Sequence, residues 1–88
     1  MNSYLIDYDL CSPSRNYNSL YDTIKSFPCY AKITESTWFV KTNLNGEQIR
    51  DKLLSKIDTN DRIFVGALAR EAAWYNVKCD SNFLKKYL

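Results

Sequence analysis

Histidine is missing altogether from the 88 residues. Its absence excludes any Ser-His-Asp or Cys-His mechanism, any histidine general base, and most zinc sites. Cysteine is scarce, at Cys11, Cys29 and Cys79. Three thiols cannot all pair within one chain and none forms a C-x-x-C, so the expectation is a reduced, cytoplasmic setting with the thiols as small buried groups. Gly46 and Gly66 stand alone, which leaves no glycine-rich phosphate loop. No hydrophobic run reaches membrane-spanning length, and the first residues lack the basic and apolar regions of a signal peptide; a soluble protein with no membrane partner is expected. The formal charge of +2 is too small to argue by itself for nucleic acid or an anionic membrane.

What is present is an ordinary globular composition, 45% hydrophobic and 25% charged. A chain of this length makes one domain, and one that buries little enough surface for dimerisation to be expected. Tyr4 to Leu10 alternates as a β-strand does, so Tyr4, Ile6, Tyr8 and Leu10 share one face and Leu5, Asp7 and Asp9 the other. A loop over Cys11–Asn16 follows. Tyr17, Leu20, Tyr21, Ile24 and Phe27 then recur at helical spacing, closed by Pro28. Cys29–Ile33 and Thr37–Thr42 read as strands, joined by a turn over Thr34-Glu35-Ser36. Asn45 with Gln48 resembles a capping box, opening a helix with Ile49, Leu53, Leu54 and Ile57 inward. Asp58–Asp61 is a loop and Arg62–Leu68 a last strand. Beyond it, Ser81 is placed to cap a short helix carrying Phe83, Leu84, Tyr87 and Leu88.

The order strand, helix, strand, strand, helix, strand predicts an α+β fold: a ferredoxin-like βαββαβ sandwich, with a four-stranded antiparallel-type sheet and both helices on one face. Residues 1–68 form the core of this single domain and 69–88 a C-terminal extension with a short helix. The helix side takes Tyr4, Ile6, Tyr8, Trp38, Val40, Ile63 and Val65. Leu5, Asp7, Asp9, Phe39 and Phe64 fall on the other side, where three large apolar groups call for a cover, from the tail or from a second copy of the chain. Trp74 and Tyr75, outside the regular elements, join Leu5, Phe39 and Phe64 as candidates for a partner surface.

Tyr8-Asp9-Leu10 at the end of the first strand, and Ser36-Thr37-Trp38-Phe39-Val40 after the second, resemble the Cas-two family of CRISPR adaptation, and more closely its small SinR-like and VapD-like relatives. The resemblance runs from Tyr4 to Leu68. It implies a ferredoxin-like homodimer that acts either as a scaffold for a protein or nucleic-acid partner or as a divalent-metal endonuclease acting on RNA. In the second case, paired Asp9 carboxylates at the dimer axis would be catalytic and would hold Mg²⁺ or Mn²⁺, which supports phosphodiester cleavage by activating water. No cofactor is expected otherwise. Asp7 has no counterpart in the family motif, and the loop after Asp9 offers only Arg15 where nucleases of this kind carry acidic and basic runs.

The competing reading of Asp9 is that it accepts backbone N–H bonds from the Ser12–Ser14 turn. Asp7 is expected to pair with Lys41 on the adjacent strand. Arg15, Lys41 and Arg62 are candidate phosphate contacts, or plain solvated charges. The leading expectation is an interaction module, followed by the endonuclease, then a regulator encoded by a mobile element that blocks a host complex.

Overall fold

The computed structural model describes all 88 residues. Four strands, β1 (Asn2–Asp9), β2 (Cys29–Thr34), β3 (Thr37–Thr42) and β4 (Arg62–Ala67), form one sheet in the order β2-β3-β1-β4. All three pairings are antiparallel. Helix α1 (Asn18–Ile24) connects β1 to β2, α2 (Gly46–Leu54) connects β3 to β4, and α3 (Ser81–Tyr87) lies in the tail. The fold is therefore a small α+β domain with a four-stranded antiparallel sheet and three helices. No helix is long and apolar enough to cross a membrane.

Alternation along β1 and β3 sets the two faces of the sheet. Tyr4, Ile6, Tyr8, Trp38 and Val40 are buried with Leu20 and Ile24 of α1 and Ile49 and Leu53 of α2, with Ile63 and Val65 packed against them. Both connecting helices thus cover the same face. Within this layer the Trp38 indole N–H donates to the Tyr8 hydroxyl at 3.0 Å, which satisfies a polar pair inside an apolar core. Burial, above all, raises the Tyr8 pKa.

The capping box of α2 forms as expected: the Gln48 amide donates to Asn45 Oδ1 at 2.8 Å and the Asn45 amide to Gln48 Oε1 at 2.9 Å. The other boundaries move for local reasons. Strand β1 starts at Asn2, opposite Thr42, and stops at Asp9 rather than Leu10. The chain leaves the sheet there because the Cys11 amide donates to the side chain of Asp61 instead of to a neighbouring strand. Helix α1 ends at Ile24, short of Phe27, because Ser26 and Phe27 donate to carbonyls three residues back and Pro28 cannot continue the ladder. Leu54 is 47% exposed, since position 54 has turned off the row made by Ile49 and Leu53. Strand β4 ends at Ala67. Helix α3 is capped by Asp80, which accepts from the Asn82 amide at 2.9 Å; Ser81 Oγ accepts instead from the Trp74 indole.

The tail covers only part of the second face. Ala31, Phe39 and Leu84 are buried there, with Ile33, Leu68, Trp74, Val77 and Phe83 packed around them. In register, Phe39 lies between Ala31 of β2 and Leu5 of β1. The Lys78 amide donates to the Ile33 carbonyl at 2.9 Å, and its ammonium pairs with Glu35 at 2.8 Å, tying the tail to the β2 side. That bond, then the nearby charges of Lys78 and Lys32, hold the Glu35 carboxyl below its ordinary range. At the opposite edge, Phe64 of β4 is uncovered, at 65% exposure.

Candidate functional site

The strand pairing decides which sequence candidates meet. Asp9 is opposite Arg62 on β4, and Asp7 lies between Thr37 on β3 and Phe64 on β4. Asp7, Tyr8, Asp9, Arg62, Ile63 and Phe64 line an open groove of about 290 Å³ on the part of the sheet that the tail leaves bare. Here Arg62 Nη1 donates to Asp9 Oδ2 at 3.0 Å, a solvent-exposed ion pair. Thr37 Oγ1 donates to Asp7 Oδ1 at 2.6 Å. The Phe64 ring leans along its own strand, so that a Cβ added at Gly66 would lie 2.8 Å from it.

Two sequence expectations are corrected by this register. Asp7 does not pair with Lys41, which is opposite Ser3, four residues or about 13 Å along the strand from Thr37. The Lys41 ammonium donates instead to the Tyr87 carbonyl at 2.6 Å, fastening the end of α3. Nor does the loop after β1 donate to the Asp9 side chain: the Cys11 amide goes to Asp61 Oδ1 at 2.7 Å.

Asp61 is the residue that sequence reasoning missed. Besides Cys11 it accepts from the Asp58 amide at 2.8 Å, and the Tyr17 hydroxyl donates to its two oxygens at 2.9 and 2.8 Å. One carboxylate thus joins the loop after β1, the start of α1 and the loop before β4. Arg15 reinforces the junction: Nη1 pairs with Asp58, Nη2 donates to the Lys56 carbonyl at 3.2 Å, and the guanidinium lies over the Tyr17 ring. Burial by itself pushes the Asp61 carboxyl up, but the amide bonds, Tyr17 and Arg15 outweigh it and hold the pKa below the usual range. Burial first, then the bond to Asp61, raises the Tyr17 pKa. The run Asp58-Thr59-Asn60-Asp61 signals a turn, but nothing near it in sequence names Tyr17 or Cys11 as partners.

A carboxyl whose pKa is lowered by folding stabilises the fold above its unfolded pKa, and that contribution disappears as pH falls through the folded value. Asp61→Asn is therefore expected to lower Tm by several degrees at neutral pH. The gap from wild type should narrow as pH falls through the ordinary carboxylate range and close only once Asp61 is protonated in the folded chain as well. Thermal melts from pH 7 to pH 3 measure this, and an undiminished gap at pH 3 contradicts it.

The remaining candidates fall into separate places. Arg15, Lys41 and Arg62 do not converge, and each is engaged by a protein oxygen. Leu5, Phe39 and Trp74 come together beneath the tail, whereas Tyr75 stands alone at 93% exposure. All three cysteines are free thiols, and none is the buried group expected: Cys11 is exposed, and Cys29 and Cys79 are half-buried. Cys11 lies outside the sheet, 3.8 Å from Arg62. Burial raises the Cys79 pKa.

The donors do not suit Mg²⁺ or Mn²⁺ within one chain. Such an ion needs several oxygen ligands in near-octahedral order. Here Asp9 is committed to Arg62, Asp7 is held by Thr37, and no three His, Cys, Asp or Glu side chains group together. As it stands, the groove offers an exposed apolar ring beside two carboxylates and one guanidinium. No family model, curated protein or solved structure matches the chain.

Proposed function

We propose that this chain is a ferredoxin-like interaction module of the Cas-two/SinR-like kind, working in the cytoplasm as a homodimer. The ferredoxin-like reading is supported by the strand order, in which each of two strand–helix–strand units straddles a strand of the other, and by the burial of α1 and α2 on one face. Free thiols at all three cysteines fit a reducing compartment.

The observation that carries the interaction reading is the unequal treatment of the two sheet edges. Strand β2 has the tail against it, through Lys78 and Ile33. Strand β4 pairs only with β1, and its outer edge runs along Ile63, Phe64 and Val65, with no proline or lysine to discourage pairing. An unprotected apolar edge of this kind invites another strand. The occupant proposed is a second copy of the same chain, because antiparallel pairing about Phe64 is self-complementary: it brings the two exposed rings together and completes a sheet neither chain closes alone. The basic candidates are all engaged, which favours protein over nucleic acid as any further partner. Sedimentation at tens of micromolar tests the reading; a monomer throughout the concentration range overturns it.

The endonuclease is the second reading. Its support is that Asp9 lies on the same bare face as Phe64, so that a two-fold axis nearby would bring two carboxylates towards each other. It predicts Mg²⁺- or Mn²⁺-dependent cleavage of RNA by the wild type, lost in Asp9→Ala at unchanged solution mass. Cleavage that survives Asp9→Ala, or none by the wild type, discards it.

A further inference from the structure

Between the tail and the sheet lies an apolar pocket of about 100 Å³, partly open to solvent. Leu5, Ile33 and Phe39 contribute from the sheet, Ala73 and Trp74 from the tail segment that crosses it, and Leu84 from α3. Every lining residue is hydrophobic. The one polar side-chain atom among them, the Trp74 indole nitrogen, is already engaged by Ser81 Oγ at 2.9 Å.

We propose that this pocket is a binding site for one small, uncharged, apolar molecule of xenon to benzene size. Three features determine that class. A water molecule needs two to four polar partners, and the wall supplies almost none, so water gains little by staying. A polar or charged guest would give up its hydration with no hydrogen bond in return. The volume is somewhat below the roughly 150 Å³ of a hydrocarbon-lined cavity known to hold benzene or xenon, which limits the guest to a few heavy atoms unless the wall yields.

The wall can yield where the tail forms it. The sheet residues are held by strand ladders, but residues 69–80 carry no helix or strand. That segment is bracketed by two non-glycine residues with left-handed backbones, Arg70 (φ 67°) and Asn76 (φ 55°). Beyond them it is fastened through Lys78 to Ile33 and Glu35. The pocket is already partly open to solvent, so a guest enters without displacing that crossing segment.

The test uses the full chain, isotope-labelled, titrated with xenon and with benzene while methyl and indole resonances are followed. Saturable shifts confined to Leu5, Ile33, Leu84 and the Trp74 indole are expected, with nuclear Overhauser contacts from benzene protons to the Leu84 methyls. Pyridine, of the same shape but with a hydrated nitrogen, should bind at least about tenfold more weakly. Ile33→Phe and Leu68→Phe, which add volume at the wall, should each weaken benzene binding by at least about tenfold in protein that keeps its amide spectrum. Shifts that do not saturate, shifts scattered over the surface, equal affinity for pyridine, or undiminished binding in a folded wall variant would each overturn the proposal. The wild-type contacts and the pyridine comparison decide it even if both variants unfold.

Discussion

Phe39→Ala is expected to destabilise the domain by about 3–5 kcal/mol, the cost of emptying a well-packed aromatic site. Phe39 is fully buried, at 0% exposure, although it sits on the face opposite both connecting helices. Its ring meets Phe83 of α3 edge-on at 6.1 Å, and its neighbours in register are Leu5 and Ala31. Removing it strips the contact surface that holds the tail, and the roughly 5–15 kcal/mol typical of a small domain leaves little in reserve. The loss should be graded through the molecule. Amides of Ser81–Tyr87 should exchange faster first, because α3 is one short helix attached mainly through Leu84, Phe83 and the Lys41–Tyr87 bond. The helix-side layer around Ile6 and Leu20 touches none of these groups and should keep its protection until global unfolding. Urea melts and native-state hydrogen exchange measure both parts. A loss below about 1 kcal/mol, or equal deprotection of α3 and β1, would show that the tail does not depend on Phe39.

Phe64→Asp is expected to abolish self-association with little effect on the fold. Most of the Phe64 side chain is in solvent in the single chain, so its replacement opens no cavity. In the dimer proposed above it becomes the central aromatic of a small interface, the position at which truncation commonly costs 2 kcal/mol or more, or roughly 30-fold in Kd. Aspartate adds repulsion, because the two-fold brings two new carboxylates together beside Asp7 and Asp9. Sedimentation of wild type and variant at matched concentrations, with thermal melts, gives the answer. A dimer unaffected by Phe64→Asp would place the contact elsewhere while leaving a dimeric module intact, whereas a monomeric wild type would remove the module reading itself.

The candidate site was only half legible in the sequence, and the division follows the range of each interaction. The Asn45–Gln48 box was readable because donor and acceptor are three residues apart and share one turn of backbone. The placement of Phe39 and the acids on the face away from α1 and α2 was readable because alternation in a strand needs no knowledge of its neighbours. Lys41 was misassigned because its partner depends on strand register and on where a terminal helix docks. Asp61 was missed for the same reason: Tyr17 and Cys11 lie 44 and 50 residues away. Asp9 and Arg62 appeared as separate candidates for metal and phosphate, and only their pairing in register turned them into each other's partners.

Residue order and alternation alone thus determined the element sequence, the helix-covered layer of Tyr4, Ile6, Tyr8, Trp38 and Val40, and the need for a cover over Phe39, because these follow from backbone periodicity and the cost of wetting large apolar side chains. Tertiary structure decided which half of the second face the tail conceals, which charges neutralise one another, and that a small apolar pocket remains beneath Trp74. Those outcomes depend on register, loop meeting points and imperfect packing between segments far apart in the chain, quantities that no local pattern encodes.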